Sequence, residues 1–540
     1  MGNILWHLWV GMKQKIVIRI TLGIAAFVLL IVLLTKVVVE PWVGKKIQAS
    51  LNENSSAYQI KIEKVHVSIF RSGIELENIT LHSKQENEGQ SGLTGEIESV
   101  KFKGIHLMKA LFKKDYHVRE VDIFNSRIIG KVAFQKKTSP ARVSPVNISI
   151  ENLFFDKLFV DLKDSATAQS YLIKDGVLKV FDINVLKNGT ISPKIFGQLD
   201  FDAPEFKTVT SDSLYSFIVV GINYSAGTNT LTADSFAVHP NYTEYGFTAR
   251  SKFQTNRIDA NLIGIIFYNF SITDYIQTGN IISSYIEIGE LEMQVFKDKR
   301  KEFKHVEKPT FQDMIYNYPR ALNIDSIGIL SGNIVYTEHS EKAIEKGSIS
   351  FNEIDAQIYK ITNDTIYKTE KAYLELRANA LLMGKGKLSI LLKARIFDNQ
   401  NTFAVNGTLS GMEVSELNPI LEKSASITIT SGKINSMNFS FAANNTKATG
   451  NMNLLYEGLK FDIMNRQTGE TTAFKEQVKS WIANIILIES NPMPGKEVRP
   501  GIIEYERDPE RFLFGYFFRS ILSGMKTIVT KVKNARKSKK

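Results

Sequence analysis

The chain of 540 residues contains no cysteine, which removes disulfide frameworks, thiolate metal sites and cysteine nucleophiles from consideration. Proline is sparse, at 13 residues, as long sheets require. Recognisable chemistry is missing too. No G-x-S-x-G elbow, P-loop, HExxH or G-x-G-x-x-G stands between a strand and a helix, and the Gly384-Lys385-Gly386-Lys387 turn lacks both the Walker spacing and its Ser/Thr. The histidines are scattered, with His66, His106 and His339 in strand, helix-start and turn contexts. Carboxylate pairs such as Asp161/Asp164 carry no weight among 56 acids. The sequence therefore points to no catalytic residue, no metal and no cofactor.

The formal net charge of +11 suggests a nucleic-acid binder until it is divided by position. Residues 1–50 carry +5, residues 519–540 carry +8, and the stretch 51–518 carries −2. A near-neutral body lacks the basic stripe that phosphate backbones demand, so nucleic acid is not expected as a partner.

Ile16 to Val39 is a long apolar stretch, uncharged from Ile20 to Leu34. As a helix it reaches about 36 Å, against about 30 Å for a bilayer core. A cleavable signal peptide is the competing reading, but no small-x-small cleavage pattern follows closely. A single-pass anchor is expected, with residues 1–15 inside and the body outside. The lead-in reads better from Met12 (MKQKIVIRI) than from Met1. Pro41–Asn52 suits a short interfacial helix with Trp42 and Ile47 on its apolar side.

Beyond the anchor, apolar residues alternate with period 2, the mark of strands with one buried face. Tyr58, Ile60 and Ile62 share one phase; Val65, Val67 and Ile69 resume after a one-residue shift, as in a bulged, twisted hairpin with Ile74–Leu81. The pattern apolar-x-x-apolar-x-apolar recurs at Ile62/Val65/Val67, Val118/Val121/Ile123, Ile150/Leu153/Phe155, Ile288/Leu291/Met293 and Ile324/Ile327/Ile329. Two copies extend further: SIENLFFDKLFVDLKD (149–164) matches NIDSIGILSGNIVYTE (323–338), each read as strand, turn and strand. Helical patterns are few, at 106–114, about 311–321 and about 413–423. With so few helices, the apolar face must meet a second sheet, as in a β-sandwich, or a ligand, as in a long curved antiparallel sheet with a groove. Leu153, Phe155, Ile327 and Ile329 are the candidate inward residues of such a groove; in a sandwich they are core.

The segment Ile60–Ser83 (IKIEKVHVSIFRSGIELENITLHS) and the strand, Leu-rich short helix and strand of Gly95–Arg127 resemble the chorein-like N-terminal unit of AsmA-like envelope proteins. Downstream, Gly407, Leu409, Met412, Leu417-Asn418-Pro419, the SGKINSMNFSF run from Ser431, Gly450, Tyr456 and Leu459 are also similar to that family. The resemblance implies an inner-membrane protein with a periplasmic body in a Gram-negative bacterium, binding or transferring phospholipid in support of outer-membrane assembly. The alternative is a structural or assembly factor that contacts other envelope proteins and carries no lipid. A third class, an enzyme acting on envelope glycans, would need convergent carboxylates in a polar cleft.

At the C-terminal end, Phe474, Val478, Trp481, Ile482 and Ile485 have helical spacing over 471–488, stopped by Asn491-Pro492-x-Pro494-Gly495. A second helix is expected from Asp508-Pro509, with Phe514, Phe517, Phe518, Ile521, Met525, Ile528 and Val532 as its apolar positions. Arg519, Lys526, Lys531 and Lys533 would then meet a membrane surface; equally, the helix could plug one end of the sheet and carry a solubilising tail. The expected organisation is a cytoplasmic N-terminus (1–15), anchor (16–39), chorein-like unit (41–135), repeated β body (136–465), helix and Pro-rich connection (466–508), and amphipathic helix with basic tail (509–540). The expected class is mainly β, with an N-terminal transmembrane helix and C-terminal amphipathic helices.

Overall fold

The computed structural model describes residues 28, 30–54, 58–68, 72–84, 92–105, 115–132, 147–185, 196–368, 373–463 and 485–532. It is mainly β, with 61% of residues in strands. The chain divides into two compact units, 1–206 and 207–540. The expected span 16–39 lies largely outside the described residues, as do Met12, Lys533, the helical pattern at 106–114 and most of that at 471–488. Among the described residues no helix is long and apolar enough to cross a membrane.

In the first unit, a helical stretch from Leu30 passes through a π-turn (Thr35–Val39) into α1 (Glu40–Asn54). The strands β1 (Tyr58–Ser68), β2 (Gly73–Ser83), β3 (Gly92–Lys103), β4 (Asp115–Val132), β5 (Asn147–Asp164) and β6 (Ser170–Val185) follow, then β7 (Gln198–Val209), which runs across the division. Each of β1 to β5 hydrogen-bonds to the next in sequence. The outer edge of β1 is closed by side chains of the helix before it. Asn52 Oδ1 accepts from the Ile60 N–H at 2.8 Å, its Nδ2 donates to the Ile60 carbonyl at 2.9 Å, and Glu40 accepts from the Val67 N–H at 3.0 Å. An exposed strand edge is a template for aggregation, and α1 occupies this one. The helix separates the two residues expected to share its apolar side. Ile47 packs on the sheet, while Trp42 is exposed beneath the Lys46 ammonium.

In the second unit the sheet runs through β8 (Tyr215–Ser225), β9 (Thr230–Pro240), β10 (Asn256–Tyr268), β11 (Ile281–Asp298), β12 (Leu322–His339), β13 (Gly347–Thr362), β14 (Tyr373–Leu382), β15 (Gly386–Arg395), β16 (Phe403–Glu413), β17 (Ile427–Ala443) and β18 (Lys447–Ile463). A short strand, β19 (Ile485–Leu487), leaves the sheet before β20 (Gly501–Glu506) closes onto β18. Among the described residues five α-helices accompany these strands: α2 (Glu244–Ala249), α3 (Ile272–Thr278), α4 (Phe311–Tyr316), α5 (Asn418–Ala425) and α6 (Leu513–Val529), the last followed by β21 (Thr530–Val532), which pairs with β19. Here too a helix blocks the edge. Thr527 Oγ1 and Ser523 Oγ of α6 accept from the Ile502 and Glu504 N–H groups of β20, at 3.0 and 3.1 Å. Apart from the β19–β21 pair, the paired strands in each unit form one sheet, with no second sheet stacked on it among the described residues. The sandwich expectation is therefore corrected: edges sealed by helix side chains leave a single layer without a facing sheet.

Further expectations are corrected. The sheet is not wholly antiparallel: β4 with β5, and β11 with β12, run parallel. Parallel neighbours need a return connection of about a dozen residues or more, and residues 133–146 and 299–321 supply that length. The repeated segments 149–164 and 323–338 are not hairpins but two single strands, β5 and β12, of 18 residues each. Ile485–Leu487 is a strand, not the end of a helix, and Val532 lies in β21 beyond α6. Asp508 also holds a turn rather than opening α6, accepting from the Glu510 N–H at 3.1 Å and from Arg511 Nε at 2.8 Å.

The recurring apolar-x-x-apolar motif has a physical meaning. In each copy the ladder steps past a residue between the first two apolar positions: Glu63 against Asn78 in β1/β2, Arg119 against Glu151 in β4/β5, and Gly289 in β11. Asn78 adopts φ 53°, and Asn125 and Lys157 mark a second irregularity at 49° and 54°. One residue is passed over on each strand with the register unchanged, and across it a spacing of three keeps apolar side chains such as Ile62 and Val65 on the same face.

Candidate functional site

Register partners in a ladder project to the same side of the sheet, so the pairings show what each face is made of. In the first unit, Val67, Ile74, Phe102, Val121, Leu153 and Val180 form one row across β1 to β6. The next row is Val65, Leu76, Val100, Ile123, Phe155 and Leu178. Leu153 and Phe155 thus stand side by side on one apolar face, both half-buried. The other face is charged: His66, Glu75, Lys101 and Asp122 are in register, and Lys101 pairs with Glu75 at 3.0 Å.

The rows of the second unit are longer. One runs Leu231, Phe267, Ile286, Ile327, Ile358, Leu376, Leu392, Val405, Phe441, Gly450 and Ile503, from β9 to β20. Its neighbour runs Ile265, Ile288, Ile329, Ala356, Ala378, Ile390, Gly407, Phe439 and Met452. Ile327 and Ile329 therefore occupy adjacent rows of the same face, again half-buried. The reverse side is polar, with Asn379, Ser389, Thr408, Asn438 and Asn453 in register. A depression of about 560 Å³ on this unit is lined by residues that include Arg377, Asn379, Asn406 and Asn438 but no acid or histidine, so it offers hydrogen bonds without a general acid or base.

Helix α6 lies over one end of the apolar face. Tyr516, Ser520, Gly524 and Ile528, at four-residue steps, are buried against β18 and β20. Phe517 meets Phe403 edge-on with ring centroids 5.0 Å apart. Gly524 is required here, because a Cβ would come within 2.7 Å of Ile503 Cγ1. A second flank, Phe514, Phe518 and Leu522, is 58, 46 and 41% exposed, so the helix carries an apolar stripe that the sheet leaves uncovered. Arg519 is exposed and donates to Tyr505 Oη at 3.3 Å; Lys526 is exposed in the last turn and Lys531 in β21. The face of α6 that seats it on the sheet was missed in the sequence because Ser520 and Gly524 are not apolar. Their four-residue spacing from Tyr516 was the available signal.

Burial pushes the Tyr456 and Tyr516 hydroxyls up to about 12, and each donates to a carbonyl, of Ile488 at 2.7 Å and of Asn444 at 3.2 Å. His339 is buried between Tyr245 Oη at 2.8 Å and the Ala343 carbonyl at 3.0 Å, a structural role. Asp164 caps the turn after β5, accepting from the Ala166 N–H at 3.0 Å and Thr167 Oγ1 at 2.7 Å. Among the described residues no group of three His, Asp or Glu side chains could hold a metal ion.

The chain matches no family model and no curated protein.

Proposed function

We propose that this chain is a membrane-anchored, non-enzymatic lipid-handling protein of the AsmA-like kind, in which the apolar sheet faces carry phospholipid acyl chains. One observation carries the reading. In the second unit the row Leu231 to Ile503 crosses from β9 to β20 without a polar side chain, and Ile327 within it stays half-exposed. Water against such a surface is unfavourable by about 25 cal/mol per Å², and acyl chains would relieve it. The described helices support the reading, because they seal strand edges and cover part of the face instead of roofing it. For the anchor, Leu30, Leu33, Val37 and Val38 are 50–70% exposed on a helix that runs on into α1. Apolar side chains displayed this way suit a bilayer. An inner-membrane location with a periplasmic body follows from the same proposal, as does support of outer-membrane assembly.

The test is lipid retention by the full chain purified in detergent, read by native mass spectrometry. Wild type should hold phospholipid through gel filtration. Ile327→Asp should keep the wild-type circular dichroism spectrum and lose the lipid. A folded wild-type protein that retains no phospholipid would overturn the reading.

A further inference from the structure

The apolar face of the second unit ends on charge. Past Gly289, where the ladder skips one residue on each strand, the side chains of β11 on this face are Leu291, Met293 and Val295, and the next in phase is Lys297. On β12 the partners Ile334 and Tyr336 lead to Glu338, which stands opposite Lys297. Lys297 is half-buried, and burial, then the charges of Lys299, Arg511 and Lys308, push its ammonium below the ordinary lysine range; Glu338 opposes them.

Glu338 is already engaged. Lys299 Nζ pairs with it closely, Tyr336 Oη donates to it at 3.0 Å and Ser340 Oγ at 3.2 Å. Among the described residues Lys297 makes no ion pair. The neighbouring cations are held in place. The Lys308 N–H donates to the Pro509 carbonyl at 2.8 Å and its ammonium lies 5.4 Å from the Phe512 ring centre, while Arg511 is bonded to Asp508 and stacked on Phe303. A partly dehydrated ammonium facing other cations is costly unless an anion arrives.

We propose that Lys297 receives the phosphate of an anionic phospholipid whose acyl chains lie along the apolar rows of this unit. The inference rests on the lipid-carrying reading above and adds the headgroup to it. Charge complementarity selects an anion. Continuity selects a lipid over free phosphate: Met293, Val295 and Ile334 lead directly away from Lys297 along the face, and the uncovered flank of α6 begins nearby, where Phe514 meets Phe351 edge-on at 6.4 Å.

The full chain in detergent is offered phosphatidylglycerol and phosphatidylcholine together, and retained lipid is measured by native mass spectrometry. Wild type should prefer phosphatidylglycerol about tenfold. Lys297→Met should bring the ratio within about twofold, and Lys297→Arg should keep the preference. Methionine keeps the length and removes a dehydrated charge, so the variant should melt no lower than wild type. Retention of both lipids without preference, or a preference that survives Lys297→Met, overturns the headgroup assignment alone. Displacement of phosphatidylglycerol by inorganic phosphate overturns it in favour of a free-anion site. Retention of neither lipid overturns the carriage reading as well.

Discussion

Gly407 lies in the middle of β16, in register with Ile390 on one side and Phe439 on the other. An added Cβ would fall 2.1 Å from Phe439 Cζ and 2.7 Å from both Cε atoms, so the phenyl ring lies across the glycine. Phe439 is 4% exposed and stacks on Phe441 at 6.4 Å, leaving it little room to move. Gly407→Ala should therefore overpack the face, at a cost of about 1–3 kcal/mol. Alanine recovers about 0.5–1 kcal/mol of the backbone entropy that glycine loses in a strand. A net destabilisation of about 1–2 kcal/mol is expected. Phe439→Leu alone should cost about 1–2 kcal/mol, but it removes the ring that the new methyl strikes. The double variant should then be no less stable than Phe439→Leu, giving a coupling of about 1–2 kcal/mol. Urea unfolding of the full chain, followed by far-ultraviolet circular dichroism with unchanged m-values, reads all four corners of the cycle. A Gly407→Ala protein as stable as wild type, or strictly additive costs, would refute the packing argument.

Two other outcomes follow from the described contacts. Asn52→Ala leaves both backbone groups of Ile60 without their side-chain partner and should cost about 1–3 kcal/mol, with a lowered melting temperature and faster aggregation through the uncovered β1 edge. Tyr456 and Tyr516 ionise near 10 when unfolded but at about 12 when folded, so their stabilising contribution is complete below pH 10 and lost as pH rises towards 12. Each accounts for about 1–2 kcal/mol of that loss. Alkaline unfolding followed at 295 nm should therefore become shallower in Tyr456→Phe, and an unchanged profile would contradict the burial argument.

Most strands were legible because alternation is a local property: Tyr58/Ile60/Ile62 and Val65/Val67 report a face and a change of phase without reference to any other segment. Strand partners are not local, which is why the parallel pairing of β4 with β5 and of β11 with β12 escaped. The matched repeats at 149–164 and 323–338 did fall on β5 and β12, each the second strand of a parallel pair, yet the ladder irregularity within each looked like a turn. The same blurring of short elements made Ile485–Leu487 resemble a helix end, since three residues cannot display a period. On α6 the apolar positions from Phe514 to Ile528 were legible, but not which of them face the sheet. Ile528 faces the sheet and Phe518 does not, and only the position of β18 and β20 decides that. Leu153 and Phe155 do share a face, as do Ile327 and Ile329. Lys297 was invisible for a related reason: its phase with Val295 is plain in the sequence, but of the cations acting on it only Lys299 is close in sequence, while Lys308 and Arg511 come from other segments.

The central claim is that acyl chains lie on the apolar face and not on the polar one. A photoreactive phenylalanine analogue placed in the full chain at Phe155, Ile327 or Ile329, and for comparison at Asn406 or Asn438 on the reverse side, reports this directly in cells. Irradiation should attach phospholipid at the first three positions and not at the last two. Equal attachment on both faces, or none on the apolar face in a folded protein, would contradict the account.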